Sequence, residues 1–325
     1  MNNSEKLNRG SVESVSVVVA TYNSRAFVKE TLESIYNQTY QNLALIISDD
    51  YSTDDTIEVV KKWIEEERVK NRFQSIELIT VPKNTGVSAN CNRCLAAVPS
   101  DWFKFIAADD ILFPNCIEDT MVFVRDNPEA RIIFSQVRLY QDEFLEEKYI
   151  KTTPEAYPNN LMHPSLSALD QYHLLLVCDR INYTPSFFSN KDTLLSVGGY
   201  DESDRLVEDY PMWLKLTRAG VKLYYFHKET VGYRIHSKAT NNKGDEVLIK
   251  PSIINTHLIR KRHAHPYLPK LMVLEENWNY AMVVALKKIG ITKKTKFTEM
   301  LYRISTLYAN PFFYLNAIGR RIKSN

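Results

Sequence analysis

Four short apolar runs, separated by segments of helical periodicity, constrain this chain more than any other feature. Val15–Ala20 leads into Thr21–Tyr22–Asn23, and Leu43–Ser48 is broken by Asp49–Asp50–Tyr51–Ser52. Ser75–Val81 leads to a turn at Asn84–Thr85–Gly86, and Trp102–Ala107 ends in Asp109–Asp110. Between these runs, Ala26–Asn37 carries Phe27, Val28, Leu32, Ile35 and Tyr36 at helical spacing. Asp55 to about Arg68 reads as a helix capped by Thr53 or Asp54, and Ser88–Ala97 as a helix of small residues. Strands alternating with helices imply parallel βαβ units. Ligands of such sheets bind beyond the carboxyl ends of the strands, so the three polar strand ends are expected on one edge.

None of these loops carries a Gly-rich phosphate-binding sequence, which counts against dinucleotide and ATP chemistry. A diphosphate held without backbone glycines or an Arg cluster needs another counter-charge. Adjacent carboxylates holding Mg²⁺ or Mn²⁺ supply one. Asp109–Asp110 is the candidate pair; by itself it reads equally as a solvated turn or a helix cap ahead of Pro114.

At 325 residues and 44% hydrophobic, the chain has length for a sizeable core and about two domains. The net charge of +2 argues neither for nor against nucleic acid, and no nucleic-acid partner is expected. Its distribution is more telling. From Asn241 onward, 15 Lys and Arg face 5 Asp and Glu, net +10; the preceding residues hold 26 against 34, net −8. The expected division is a catalytic domain over 1–240 and a basic helical region over 241–325. The first residues lack a signal-peptide pattern, and no apolar run is long enough to span a bilayer. Cys91, Cys94, Cys116 and Cys178 show no secreted disulfide spacing, which fits a reduced, cytoplasmic compartment. Cys91 and Cys94 have redox-motif spacing, but without a second pair they read as small half-buried thiols.

Several runs, in order and spacing, resemble family 2 glycosyltransferases of the GT-A fold. They are SVSVVVATYNS, SIYNQTYQNLALIISDDYSTDDT, NTGVSANCNRCL and FKFIAADDILFPNCIE, then Val197–Ser203, Leu206–Gly220 and Tyr233–Ser237. The resemblance covers about two-thirds of the chain and is of the bacterial surface-polysaccharide type. It implies an α/β, Rossmann-like mixed sheet flanked by helices, with a C-terminal helical extension outside it. It also implies that Ala20 and Tyr22 flank a nucleobase, that Asp50 hydrogen-bonds it, and that Asn84 and Gly86 complete the nucleoside pocket. Asp109 would contact ribose or sugar, and Asp110 would coordinate Mn²⁺ or Mg²⁺. Asp209 would be the catalytic base, Glu208 would orient the acceptor, and His236 would help hold metal or phosphate.

Chemistry supports that allocation. Displacing a nucleoside diphosphate from an anomeric carbon needs leaving-group charge stabilised and the acceptor hydroxyl deprotonated. One carboxylate at the metal and another across the pocket suffice for single displacement, so inversion is expected. The donor is expected to be a nucleotide-sugar, UDP-linked, and the acceptor a glycan or lipid-linked oligosaccharide in capsule or O-antigen assembly. The rival readings are a sugar nucleotidyltransferase, which should carry a basic Gly-rich loop after the first strand, and a catalytically silent nucleotide- or glycan-binding protein. Three positions depart from the family pattern. Ala107 stands where a further Asp is frequent, Ala20 where Pro is common, and Tyr51 where Gly is usual, so that turn is expected to be less bent.

Elsewhere, His263 and His265 read as part of a solvated basic loop, and Trp213 as core before acceptor platform. Gly198–Gly199 reads as a turn shaping the acceptor floor, with Asp201 an acceptor contact or a cap. Ile249–Arg260, Leu268–Lys287 and Phe297–Tyr308 look helical. Pro311–Ile322 mixes aromatic and basic residues as an interfacial membrane helix does, against the alternative of a helical cap with solvated lysines. Membrane contact would put the chain at the inner face of the cell membrane.

Overall fold

A computed structural model describes residues 13–157, 161–236, 247–249 and 251–316. Among them, nine strands form one sheet. Half of it is the parallel arrangement that the alternation predicts. β1 (Val15–Thr21), β2 (Leu43–Asp49), β3 (Ser75–Thr80) and β4 (Trp102–Ala107) lie in the order β3-β2-β1-β4, all parallel. They are connected by α1 (Val28–Tyr36), α2 (Thr56–Ile64), α3 (Glu67–Lys70) and α4 (Val87–Ala97). β1 and β2 are interior strands, so their apolar runs are buried on both faces, whereas edge strand β3 alternates. The single helix expected from Asp55 to about Arg68 is interrupted, because Glu66 adopts an extended conformation and α3 restarts after it.

The other half of the sheet was not read from the sequence. β5 (Ile111–Leu112), β6 (Ile132–Gln141), β7 (Tyr149–Thr153), β8 (Phe188–Asn190) and β9 (Leu223–Ile235) extend it beyond β4. β8 runs antiparallel to both β4 and β6, and β9 antiparallel to β5. α5 (Cys116–Asp126), α6 (Ala168–Val177), α7 (Lys191–Ser196) and α8 (Asp209–Arg218) intervene. α8 is pinned by Trp213, fully buried with ring centroids 5.0 Å from both Phe134 and Phe187. That contact settles Trp213 as core; truncating it to Ala would cost about 3–5 kcal/mol. Cys91 and Cys94 are fully buried, deeper than expected, on the inner face of α4.

The chain divides into two compact units, Met1–Gln171 with Ile181–Arg234, and Tyr172–Arg180 with Ile235–Asn325. The expected 240/241 boundary lies outside the described residues, and the second unit recruits a segment, Tyr172–Arg180, that chain order could not reveal. Within the second unit, Arg260 donates to the carbonyl of Leu176 (2.9 Å), meeting an otherwise orphaned acceptor at the end of α6. α9 (Pro251–His263), α10 (Lys270–Lys288) and α11 (Lys296–Arg303) overlap the segments read as helical. Ile249, Val283 and Leu286 form their core, with Leu301 and Tyr302 of α11 packed against it. His265 is not solvated as expected. Its side chain is 7% exposed and meets Glu276 at 2.9 Å, a carboxylate that also accepts from Arg260 (2.5 and 2.9 Å). An acid on α10 thus draws that histidine inward. Among the described residues, no helix is long and apolar enough to cross a membrane.

Candidate active site at the strand ends

β1 and β2 finish in step, Thr21 opposite Asp49, and the loops beyond them are cross-braced. Asp49 accepts from the amide (2.8 Å) and hydroxyl (2.5 Å) of Ser52. Ser52 Oγ accepts from the Asn23 amide (2.8 Å), and Asn23 Oδ1 from the Thr53 amide (2.8 Å). This bracing holds Tyr51 at φ 71°, a left-handed conformation that costs a bulky residue energy. The turn is therefore not relaxed by Tyr51: the hydrogen bonds fix the bend, and the tyrosine absorbs the strain. Tyr22 and Tyr51 remain 49% and 47% exposed, two aromatic faces at adjacent strand ends. Ala20, partly buried, sits one residue before the end of β1.

Asp50 is buried and heavily engaged. Its carboxylate accepts from the Thr85 amide (3.0 Å) and hydroxyl (2.5 Å), the Gly86 amide (2.8 Å) and Arg93 (2.7 Å). Burial pushes the carboxyl upward, but the Thr85, Arg93 and Gly86 donors outweigh it and hold it below its ordinary value. Asn84 Nδ2 donates to the Asp50 carbonyl (3.1 Å), so Asp50 clamps the whole Asn84–Gly86 turn. Gly86 is required there: at φ 95°, a Cβ would lie 2.8 Å from the Arg205 carbonyl oxygen.

β4 ends level with β1, Ala107 opposite Ala20, and the Ala108 amide donates to the Ala20 carbonyl (3.2 Å). The acidic pair then splits. Asp110 is 1% exposed; one carboxylate oxygen accepts from the Arg234 amide (2.9 Å), and its carbonyl from the Thr31 hydroxyl (2.6 Å). Burial and the neighbouring Asp109 charge push the Asp110 carboxyl well above its ordinary value. Asp109 is the more accessible acid, and Ala107 beside it is exposed. The same two charges, added to burial, push the Tyr233 phenol up to about 12.

Arg234 organises this corner and was missed as a site residue. Its buried guanidinium donates to the Asp109 carbonyl (2.9 Å), the Asp142 carbonyl and the Glu30 carboxylate. It also lies 4.7 and 4.2 Å from the ring centroids of Phe27 and Phe144. The available signal was an arginine inside the β-rich run closing on Tyr233–Ile235.

Glu208 and Asp209 are linked to the Asn84–Gly86 turn. The Val87 amide donates to the Arg205 carbonyl (2.9 Å), and the Ser88 hydroxyl to the Asp204 carbonyl. Arg205 returns a hydrogen bond to the Asn84 carbonyl (3.2 Å) and another to its side chain (3.2 Å). The loop leading to Glu208 is thus latched onto the turn that Asp50 clamps. Asp209, the first residue of α8, accepts from the Tyr210 amide (2.7 Å) and the Thr184 hydroxyl (3.2 Å). Burial raises the pKa of both acids, and the Asp209 charge adds to the rise at Glu208, pushed up to about 8. Asp209 has the hydrogen-bond donors, so the shared negative charge sits on it and the proton on Glu208. Asp201 accepts from the amide (3.0 Å) and hydroxyl (2.6 Å) of Ser203, a turn cap beside Gly198–Gly199. His236 is buried and belongs to the second unit.

The chain shares its architecture with solved GT-A glycosyltransferases. S. aureus TarS, residues 1–349, in complex with UDP-GlcNAc superposes with a TM-score of 0.56 at 14% identity, over 92% of this chain and 82% of that one. A longer TarS chain aligns at 0.53 and 15% identity, with 83% of this chain covering 43% of it. Residues 16–181 match the family described as glycosyl transferase family 2, and the chain belongs to that family. Among its relatives is the Escherichia coli UDP-Glc:alpha-D-GlcNAc-diphosphoundecaprenol beta-1,3-glucosyltransferase WfaP, 24% identical over 78% of this chain and 90% of its own length. A glycosyltransferase of Haemophilus influenzae is 26% identical over 70% of this chain and 67% of its own length.

Proposed function

We propose that this glycosyltransferase moves a sugar from a UDP-sugar to a hydroxyl of a glycan or lipid-linked acceptor by single, inverting displacement. The observation that carries the reading is the latch through Arg205, which ties a base-bearing acid pair to the turn beside two exposed aromatic strand ends. A flat base stacks on Tyr22 or Tyr51. The hydrogen bond to the base that the family resemblance assigns to Asp50 falls instead on the loop atoms Asp50 clamps, since its own carboxylate is occupied within the protein. Asp209 accepts the proton of the acceptor hydroxyl, and neutral Glu208 donates a hydrogen bond to orient that acceptor. TarS in complex with UDP-GlcNAc and WfaP, named for UDP-Glc, support a uridine donor. WfaP is also named for a diphosphoundecaprenol acceptor, which supports a lipid-linked acceptor; the setting proposed for that reaction is surface-polysaccharide assembly, such as capsule or O-antigen, at the inner membrane face.

Metal binding at the acid pair fits Asp109 better than Asp110. Asp110 is sealed behind the Arg234 amide, whereas Asp109 is accessible beside the exposed Ala107. One carboxylate completed by diphosphate oxygens and water is a sufficient donor set for Mg²⁺ or Mn²⁺. Such an ion would supply electrostatic stabilisation of the departing diphosphate.

Calorimetric titration with UDP, UDP-Glc and UDP-GlcNAc, with and without Mn²⁺, tests both points. Asp109→Asn should abolish the metal-dependent part of binding, while Asp110→Asn should leave it in place, because the asparagine Oδ1 can still accept from the Arg234 amide. Metal-dependent binding lost only in Asp110→Asn would reverse the assignment. No donor binding under any condition would refute the reading.

A further inference from the structure

α11 and the π-helical turn that continues it, Ile304–Tyr308, have two apolar faces, and only one is used. Leu301 and Tyr302 turn inward onto the Ile249, Val283 and Leu286 core. Phe297, Met300, Ile304, Leu307 and Tyr308 point outward at three- and four-residue spacing, with Phe297, Met300 and Tyr308 at 65%, 52% and 60% exposure. A soluble helix needs one apolar stripe, and a second, contiguous stripe in water marks a contact surface. Its charge setting is one-sided. Lys293 and Lys294 before the helix, Lys296 at its first position and Arg303 at its last are all exposed, and the segment from Asn241 onward carries net +10. Glu299, which lies within 3.7 Å of Lys294, is the one acid on α11.

We infer that this outward face of α11 docks the chain on an anionic lipid bilayer, with Phe297, Met300, Ile304 and Tyr308 entering the interfacial layer and the lysines and Arg303 meeting lipid phosphates. A protein partner would be served by the same apolar stripe, but a cationic collar around large aromatic and aliphatic side chains matches the negative surface and apolar interior of a bilayer. Neither the donor nor the acceptor reading is needed for this inference. A lipid-linked acceptor would nonetheless give it a purpose, because docking raises the local concentration of such a substrate.

The test is co-sedimentation of the full chain with phosphatidylcholine vesicles and with phosphatidylglycerol-rich ones. Wild type should bind the anionic vesicles and lose binding as salt rises. Phe297→Ser and Ile304→Ser should each weaken partitioning by about tenfold, the scale of withdrawing one large apolar side chain from lipid. Lys293→Glu with Lys294→Glu should remove the preference for anionic lipid. All these positions face solvent, and circular dichroism checks that the variants stay folded. UDP-sugar hydrolysis in solution should be unchanged in them, which separates loss of docking from failure of the enzymatic reading. Equal vesicle binding by wild type and the apolar variants would overturn the inference. So would a wild-type chain that ignores vesicles but self-associates in sedimentation velocity through these same residues.

Discussion

Glu208→Gln offers a sharp test of how the acid pair shares its charge. In the folded chain the Glu208 carboxyl is raised from 4.5 to about 8, by burial and then by the charge of Asp209. A carboxyl raised in this way stays protonated on folding while its unfolded counterpart ionises. Between pH 4.5 and about 8, the unfolded chain therefore binds fewer protons, and stability falls as pH rises. The full displacement sets a ceiling of about 5 kcal/mol. Glu208 keeps part of its surface in water, and solvent screening brings the expectation to about 2 kcal/mol. Glutamine cannot ionise, so the variant escapes this loss. Thermal unfolding followed across pH should show wild type and variant alike near pH 4.5, with the variant pulling ahead to a Tm advantage of about 5 °C by pH 8. Turnover should survive in Glu208→Gln and vanish in Asp209→Asn, because only Asp209 must be ionised to accept a proton. A Tm difference that does not change with pH would refute the protonated state of Glu208. Full activity in Asp209→Asn would refute the base.

Gly86→Ala should cost about 2–3 kcal/mol in denaturant unfolding and raise the donor KM, because its Cβ meets the Arg205 carbonyl at 2.8 Å and φ is 95°. Tyr51→Gly should gain about 1 kcal/mol of stability by relieving the left-handed tyrosine at φ 71°. The same variant should weaken UDP binding in titration if that exposed ring stacks on the base; unchanged affinity assigns stacking to Tyr22 alone. Thr184→Val removes a hydrogen bond of 3.2 Å from the Asp209 carboxylate and so raises its pKa. The acid limb of the kcat/KM profile should move to higher pH, whereas a purely structural Thr184 would lower stability without moving that limb.

What was legible in the sequence follows from range. β1 to β4 and their helices are encoded in consecutive runs whose periodicity switches between strand and helix, so the parallel half of the sheet and its polar edge emerged directly. The antiparallel half did not. β5 and β8 are two and three residues long, and their pairing with β9 and with β4 and β6 spans much of the chain. Tyr172–Arg180 joins the second unit through contacts such as Arg260 with Leu176, across 84 positions.

The site divides in the same way. Asp109–Asp110 was visible as a pair, but which member is sealed inside depends on the Arg234 amide, 124 residues away from Asp110. Adjacent residues at a strand end point in different directions, and no local pattern says which direction the rest of the chain will fill. The same holds for Asp50, whose polar character the sequence displayed while Thr85, Gly86 and Arg93 determine how its lone pairs are used. A family motif thus locates a carboxylate, and the distant donors around it determine whether that carboxylate faces the ligand or the protein. In this chain such donors engage the carboxylates of Asp50 and Asp110 within the protein, so these two acids hold their loops in place.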